Sequence, residues 1–277
     1  MLRIVIAIAI VLALVSCGKR DAETRPTGPR LVSLMPSGTE VVAALGAADQ
    51  LVGVDEYSEF PESVKKLPKV GSFMFPNLEI IISLRPTLVI VDDIHGKSGS
   101  ALKDAGIETV PCAMHALPDV KTALRTVGAR IGKAAEAEQV VHEIETALDT
   151  AAAKRPAKRP RVLAVIDREA NGLGSLVAVG PGSWVDELLA VVGGENVLAS
   201  SGIRYPKISL EEVLRAQPEV ILDITFAGKK SLAEWNEVDV PAVKQGRVVS
   251  LSLPYLTAPS PRVREALDAL AKAIAPR

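Results

Sequence analysis

Aromatic residues make up only 3% of this 277-residue chain, and it has three histidines and two cysteines. Each shortage excludes something. Cys17 and Cys112 cannot build a disulfide framework. Cys112 follows the apolar stretch "ETVP" and reads as a buried thiol at a strand end. His95, His115 and His142 stand far apart with no H-x-x-x-H or similar metal spacing, so no metal site is expected. His95, after Asp92-Asp93 at a strand end, is the one placed to face a cleft. "GLGSL" after Asn171 does not complete G-x-S-x-G, and "ANGLGS" lacks the lysine of a phosphate loop. No nucleophile, base and orienting acid come together, so neither an enzyme nor a cofactor is expected. The formal net charge of −1 offers nothing to a polyanion, and nucleic acid is not expected as a partner.

What the chain has in quantity is aliphatic residue. Hydrophobic residues reach 48%, and the length suits one large or two medium domains. "MLRIVIAIAIVLALVSC" carries Arg3 and an apolar run from Ile4 to Val15, too short to span a bilayer and suited to a secretory signal over residues 1–16. Leu14-Val15-Ser16-Cys17 resembles the lipobox of bacterial lipoproteins, which implies cleavage before Cys17 and lipidation of its thiol and amine. The plainer alternative is an ordinary signal with an incidental cysteine. If Cys17 carries lipid, Cys112 has no disulfide partner. Residues 17–29 are polar, with Pro and Gly, and read as a tether between a membrane anchor and a folded domain outside the cytoplasm.

From Arg30 the chain alternates short aliphatic strands with helices, a pattern of α/β lobes with mostly parallel sheets. "RLVSLM", "QLVGVD", "TLVIV" and "ETVPC" are strands of a first lobe, residues 30–115. The helix in "SGTEVVAALGA" is expected to open on a Ser/Thr cap and to close on Gly46. Residues 116–156 contain no Pro inside "PDVKTALRTVGARIGKAAEAEQVVHEIETALDTAAAKR" and keep apolar residues at three- and four-residue spacing, which predicts a single long helix joining the lobes. The second lobe, residues 157–277, rewrites parts of the first. "NLEIIISLRPTLVIV" (Asn77–Val91) returns as "SLEEVLRAQPEVILD" (Ser209–Asp223), an offset of 132 residues (209 − 77). Glu40 likewise pairs with Glu187, and Gly46 with Gly193.

The ordered set "RLVSLMPSGTEVVAALGAADQLVGVD…PNLEIIISLRPTLVIV", "GGENVL" and "SPRVREALDAL" resembles the helical-backbone substrate-binding proteins of ABC importers for cobalamin, iron-siderophores and haem. The resemblance runs from about Arg30 to the C-terminus. It implies the class III periplasmic-binding-protein fold, two Rossmann-like lobes with ligand in the cleft between them. It also implies that Glu79 and Glu211, one on each lobe, dock onto arginines of a permease dimer. From spacing alone, both glutamates are explained as first-turn acids beside the N-caps Asn77 and Ser209, with Glu212 completing a capping box.

The few aromatics are set on or beside loops rather than spent on strand cores: Tyr57, Phe60, Phe73 and Phe75 in the first lobe, Tyr205, Phe226 and Tyr255 in the second. Such placement suits a flat, largely apolar ligand, or rings that each plug their own loop. The resemblance implies Phe73 at a position that packs on a corrin ring, with Tyr57 and Tyr205 at matching positions of the same cleft; Tyr255, a loop aromatic of the second lobe, is a further candidate ligand contact. "LPYLTAPSPR" has Pro254 and Ala258 where a corrinoid binder carries a charged pair. Arg168, Arg204 and Lys207 can meet ligand carboxylates or simply face solvent. The reading is therefore a monomeric, lipid-anchored extracytoplasmic solute-binding protein delivering a corrinoid to an ABC importer. The alternatives are a siderophore or haem binder of the same class, with His95 then a candidate ligand, a sensor lipoprotein without a transporter, and an anchored hydrolase.

Overall fold

The computed structural model describes residues 28–169, 172–224 and 231–276; Cys17, the leader before it and Phe226 lie outside them. In the first lobe Leu31–Ser33 (β1), Leu51–Val54 (β2), Leu88–Val91 (β3) and Glu108–Pro111 (β4) form a parallel sheet in the order β2-β1-β3-β4. β3 is buried along its whole length, as a continuous aliphatic strand covered on both faces must be. Pro36–Ala44 (α1) and Leu117–Arg130 (α4) pack one face, Leu78–Ser83 (α2) and Gly96–Asp104 (α3) the other. α1 starts on Pro36, not on a Ser/Thr cap. Its ring presets φ at a position where no N–H bond is needed, and the Thr39 hydroxyl instead donates back to the Met35 carbonyl.

The second lobe is mixed. Val248–Ser250 (β10), Val220–Asp223 (β9) and Arg161–Arg168 (β5) run parallel, while Leu176–Ala178 (β6) and Lys207–Ile208 (β8) extend the sheet antiparallel; the short strand Glu195–Asn196 (β7) pairs with the start of β5. Trp184–Val192 (α6) and Val263–Ile274 (α10) cover its inner face, Leu210–Ala216 (α7) lies on the outer face, and the one-turn helices Pro241–Lys244 (α8) and Pro254–Thr257 (α9) come between α7 and α10 in the chain.

The predicted joining helix needs its bounds corrected. The stretch is two helices, α4 and the 20-residue Ala134–Ala153 (α5), broken at Gly132, where φ is +75°. The apolar spacing continues through both because each buries one stripe in the same core, so periodicity alone does not mark the break. α5, about 30 Å long at 1.5 Å per residue, is the single helix that carries the chain between lobes. It packs antiparallel to α4, with Arg125–Glu138 and Lys121–Glu145 paired across the seam.

α1, α4, α5, α6 and α10 contribute to one buried cluster that also takes in strand residues of both sheets. Leu31 and Val41 of the first lobe and Val162 and Trp184 of the second belong to the same core. Large relative movement of the lobes would expose that shared layer, at roughly 25 cal/mol per Å².

The internal repeat extends to burial. Residues 78–86 and 210–218 show the same sequence of exposed, half-buried and buried positions. Both units end in a left-handed residue before proline, Arg85 at φ 48° and Gln217 at φ 44°. A residue preceding proline is pushed out of right-handed helix, which stops both helices within two residues of that point, at Ser83 and Ala216.

A Cβ added at Gly132 meets nothing within 4 Å, so only backbone strain opposes a substitution there. Gly132→Ala should destabilise the protein by about 1 kcal/mol in urea unfolding; an unchanged midpoint would contradict the break as an obligatory left-handed turn.

Candidate functional site

All four strands of the first lobe point their carboxyl ends the same way, and the loops that leave them face the second lobe. The start of α1, just after β1, supplies Pro36 and Ser37, and the segment after β2 supplies Tyr57 to Lys65. The segment 252–262 of the second lobe lies opposite. Between them is a cleft of about 610 Å³ lined by Tyr57, Phe60, Lys65, Pro254, Thr257 and Arg262, among others. Carboxyl-end crevices are where open α/β sheets bind ligands.

The β2 loop is held by a buried network. Asp55, fully buried, accepts from the Tyr57 amide at 3.0 Å and from the Ser58 hydroxyl, which also meets Thr39 Oγ1 at 2.8 Å. Lys69 Nζ donates to the Ser58 carbonyl at 2.8 Å. Burial pushes the Asp55 carboxyl up from its ordinary value, against the lowering hydrogen bonds from Ser58 and Tyr57. The outcome is a fixed loop presenting Tyr57, 49% exposed, to the cleft.

The back wall is an ion pair between lobes. Glu40 of α1 is buried; its carboxylate accepts from Arg262 Nε at 2.9 Å, from Arg262 Nη2, and from the Ser260 hydroxyl. The guanidinium lies 4.2 Å from the Phe60 ring centroid and 4.6 Å from that of Tyr255, one ring from each lobe. A planar, delocalised cation suits this bidentate and stacked setting, and lysine would not. Behind the wall a second cavity of about 500 Å³ lies between α1, α5 and the start of α10. Glu187 repeats the device on the other lobe: its carboxylate accepts from the Leu117 amide, the first residue of α4, at 2.6 Å. Each lobe's first helix thus carries a glutamate to the start of the other lobe's last helix.

The other expected residues are placed as follows. Tyr255 contributes its ring beneath Arg262, and its carbonyl accepts from Trp184 Nε1 at 3.0 Å. Phe73 is half-buried against the core, edge-on to His95 with centroids 5.2 Å apart, and is not among the residues lining this cleft. Tyr205, 42% exposed, also lies off that lining, in the loop before β8. Glu79 and Glu211 are exposed in the first turns of α2 and α7. Asn77 accepts from Ile80 N, and the Ser209–Glu212 capping box is formed.

His95 is buried with both ring nitrogens engaged. Nδ1 accepts from the Asp92 amide at 2.9 Å, so Nε2 carries the proton and donates to the Phe73 carbonyl at 2.6 Å. It fixes the Phe73 loop. Arg168 is buried rather than solvent-facing: Nε donates to Asp223 at 2.7 Å and Nη2 to the Ser231 carbonyl. Arg204 and Lys207 are exposed. Cys112 is a buried free thiol whose pKa desolvation raises to about 12.

Asp92, Asp93 and His115 are the one acid–histidine group among the described residues whose donor atoms lie within 4.8 Å of one another. Burial and the adjacent Asp93 carboxyl push Asp92 up to about 6, while hydrogen bonds from Asp92 and His115 hold Asp93 down near 2. One proton shared by the two carboxyls accounts for this divergence.

A family model described as periplasmic binding protein matches residues 31–254, and the chain belongs to that family. It is 27% identical over 243 residues to a vitamin B12-binding protein of Vibrio parahaemolyticus, covering 86% of each chain. An uncharacterised ABC transporter substrate-binding lipoprotein of Bacillus subtilis is 28% identical over 266 residues, covering 93% of this chain and 83% of that one. Among solved structures, the apo periplasmic haem-binding protein of Roseiflexus sp. RS-1 superposes with a TM-score of 0.77 and 31% identity, over 89% of this chain and 98% of that chain.

Arg262→Met removes the cation that pairs the buried Glu40 carboxylate, and should cost about 3 kcal/mol of unfolding free energy. Adding Glu40→Leu should recover part of that loss. A single variant as stable as the wild type, measured by guanidinium unfolding, would show that the pair contributes nothing.

Proposed function

We propose that this chain is the ligand-binding subunit of an ABC importer. Lipid on Cys17 holds it outside the cytoplasm, and it captures a corrinoid as a monomer between its two lobes. The observation that carries the reading is the cleft itself, with Tyr57 and Phe60 on one wall, the apolar Pro254 segment on the other and Arg262 at the back. Exposed rings at a largely apolar crevice suit a flat macrocycle, which stacks without needing many directed hydrogen bonds. Lys65 and Arg262 line the cleft already paired, with Glu62 and Glu40, so the cleft offers a ligand rings and apolar surface more than free charge. Phe73 and Tyr205 enter the proposal as rim residues that a macrocycle larger than the cleft would touch. The relatives named vitamin B12-binding protein support the corrinoid, and the lipoprotein relative supports the anchor.

Haem is the second reading, favoured by the haem-binding solved relative and by the exposed Tyr57 phenol, since a phenolate is an iron ligand that proteins use. In either case the loaded protein docks onto a permease dimer through Glu79 and Glu211. Exposed carboxylates of this kind set orientation and on-rate more than affinity.

The test is titration of the purified protein with cyanocobalamin and, separately, haemin, read by calorimetry and by tryptophan fluorescence with Trp235 replaced by Phe so that Trp184 alone reports. The Trp184 indole is bonded to the Tyr255 carbonyl and so reports on the cleft segment. The expected result is saturable corrinoid binding, weakened about tenfold in Tyr57→Ala. Haemin binding with an iron–phenolate absorption band that vanishes in Tyr57→Phe would install haem instead. No response to either ligand would overturn the proposal.

A further inference from the structure

Five charged side chains line the cleft, the acids Glu40, Glu59 and Glu62 and the bases Lys65 and Arg262, which leaves a formal net charge of −1. Both bases are taken. Arg262 pairs with Glu40, and Lys65 Nζ lies 2.8 Å from Glu62 Oε2. Among the described residues Glu59 forms no ion pair. The other charges of this loop do not redress the balance. Glu56 and Lys66, exposed off the lining, cancel, and so do Asp55 and Lys69 behind it. The opposing segment 252–262 holds no acid, and its one base is Arg262. Pairings can change when a ligand enters, but the sum cannot.

Local structure explains Glu62, a first-turn acid of the short 3-10 helix Glu62–Lys66 with its partner three residues on. It does not explain Glu59, which caps nothing and stands in the loop before Pro61. The loop nevertheless holds it at the wall. Ser58, one residue before, is bonded through its hydroxyl to Asp55 and Thr39 and through its carbonyl to Lys69. Phe60, one residue after, lies against the Arg262 guanidinium. Glu62, by its hydrogen bond, and Glu59, by its charge, raise the Lys65 ammonium above its ordinary value, so that base already answers to both acids.

A ligand filling the cleft displaces water from these groups, and charges act more strongly through a covered space than through solvent. A carboxylate on the rim of a macrocycle would meet a net negative lining in which each cation is already paired. An amide at the same place would meet no like charge. Resting on the corrinoid reading above, we infer that the cleft selects among flat macrocycles by charge, accepting a neutral or cationic rim of amides and turning away a rim of carboxylates, and that Glu59 is the residue that makes this selection. Shape and stacking set what fits; a like charge discriminates between ligands of the same shape.

The test titrates the full chain, by calorimetry at low and high salt, with dicyanocobinamide, whose ring edge carries amides, and with dicyanocobyrinic acid, the same ring bearing carboxylates. Cobinamide should bind at least about tenfold more tightly than cobyrinic acid, with the gap narrowing at high salt. Glu59→Gln should strengthen cobyrinic acid binding about tenfold and leave cobinamide within about twofold of wild type. If the wild type binds both corrinoids alike, charge selection is refuted while the corrinoid reading stands. A gap that persists unchanged in Glu59→Gln removes Glu59 from the role. If neither corrinoid binds the wild type, the corrinoid reading falls and this inference with it.

Discussion

The buried ion pair between Glu40 and Arg262 is the contact on which the cleft depends. It joins the first helix of one lobe to the entry of the last helix of the other, and it places an aromatic ring from each lobe on a shared guanidinium. A carboxylate taken out of water is costly unless its lone pairs are filled, and here Ser260 and two guanidinium nitrogens fill them. Because Phe60 and Arg262 are also cleft residues, the group that holds the lobes together is also one that shapes the cleft wall. Glu187, bonded to the Leu117 amide, closes the matching contact on the other lobe.

These two polar ties lie against a continuous apolar layer. In a two-domain binding protein with separate cores, the lobes can hinge about flexible strands. Here α5 crosses within a core shared by both sheets, and α1, α4, α6 and α10 pack around it. Opening the cleft widely would break buried polar contacts and expose aliphatic surface at once, so ligand exchange is expected through movement of the cleft loops more than of the lobes. The Asp55–Ser58–Thr39 network and the His95–Phe73 bond show how firmly those loops are held at rest.

Much of the fold was legible because it is written in local signals. Aliphatic runs marked the parallel strands, Asn77 and Ser209 marked helix starts, and the 132-residue repeat announced two related lobes. The break at Gly132 was hidden because two helices packed in one core keep a common apolar rhythm. The antiparallel β6 and β8 were missed because two- and three-residue strands carry almost no periodicity. The site was read less completely. Tyr57 announced itself as an aromatic on a polar loop, whereas Arg262 looked like any basic residue before a helix. The signal for Glu40 was present: a carboxylate on an otherwise apolar helix, repeated at Glu187. Its partner is 222 residues away, and no local pattern reaches that far. Arg168 shows the converse, a candidate ligand contact claimed by Asp223 from a neighbouring strand.

Hydrogen–deuterium exchange on the full chain, with and without saturating cyanocobalamin or haemin, tests the central claim most directly. If ligand sits between the lobes, protection should appear together in residues 55–65 and 252–262, one segment from each lobe, with α5 unchanged. Protection confined to a single lobe, or centred away from both segments, would contradict an interlobe binding site.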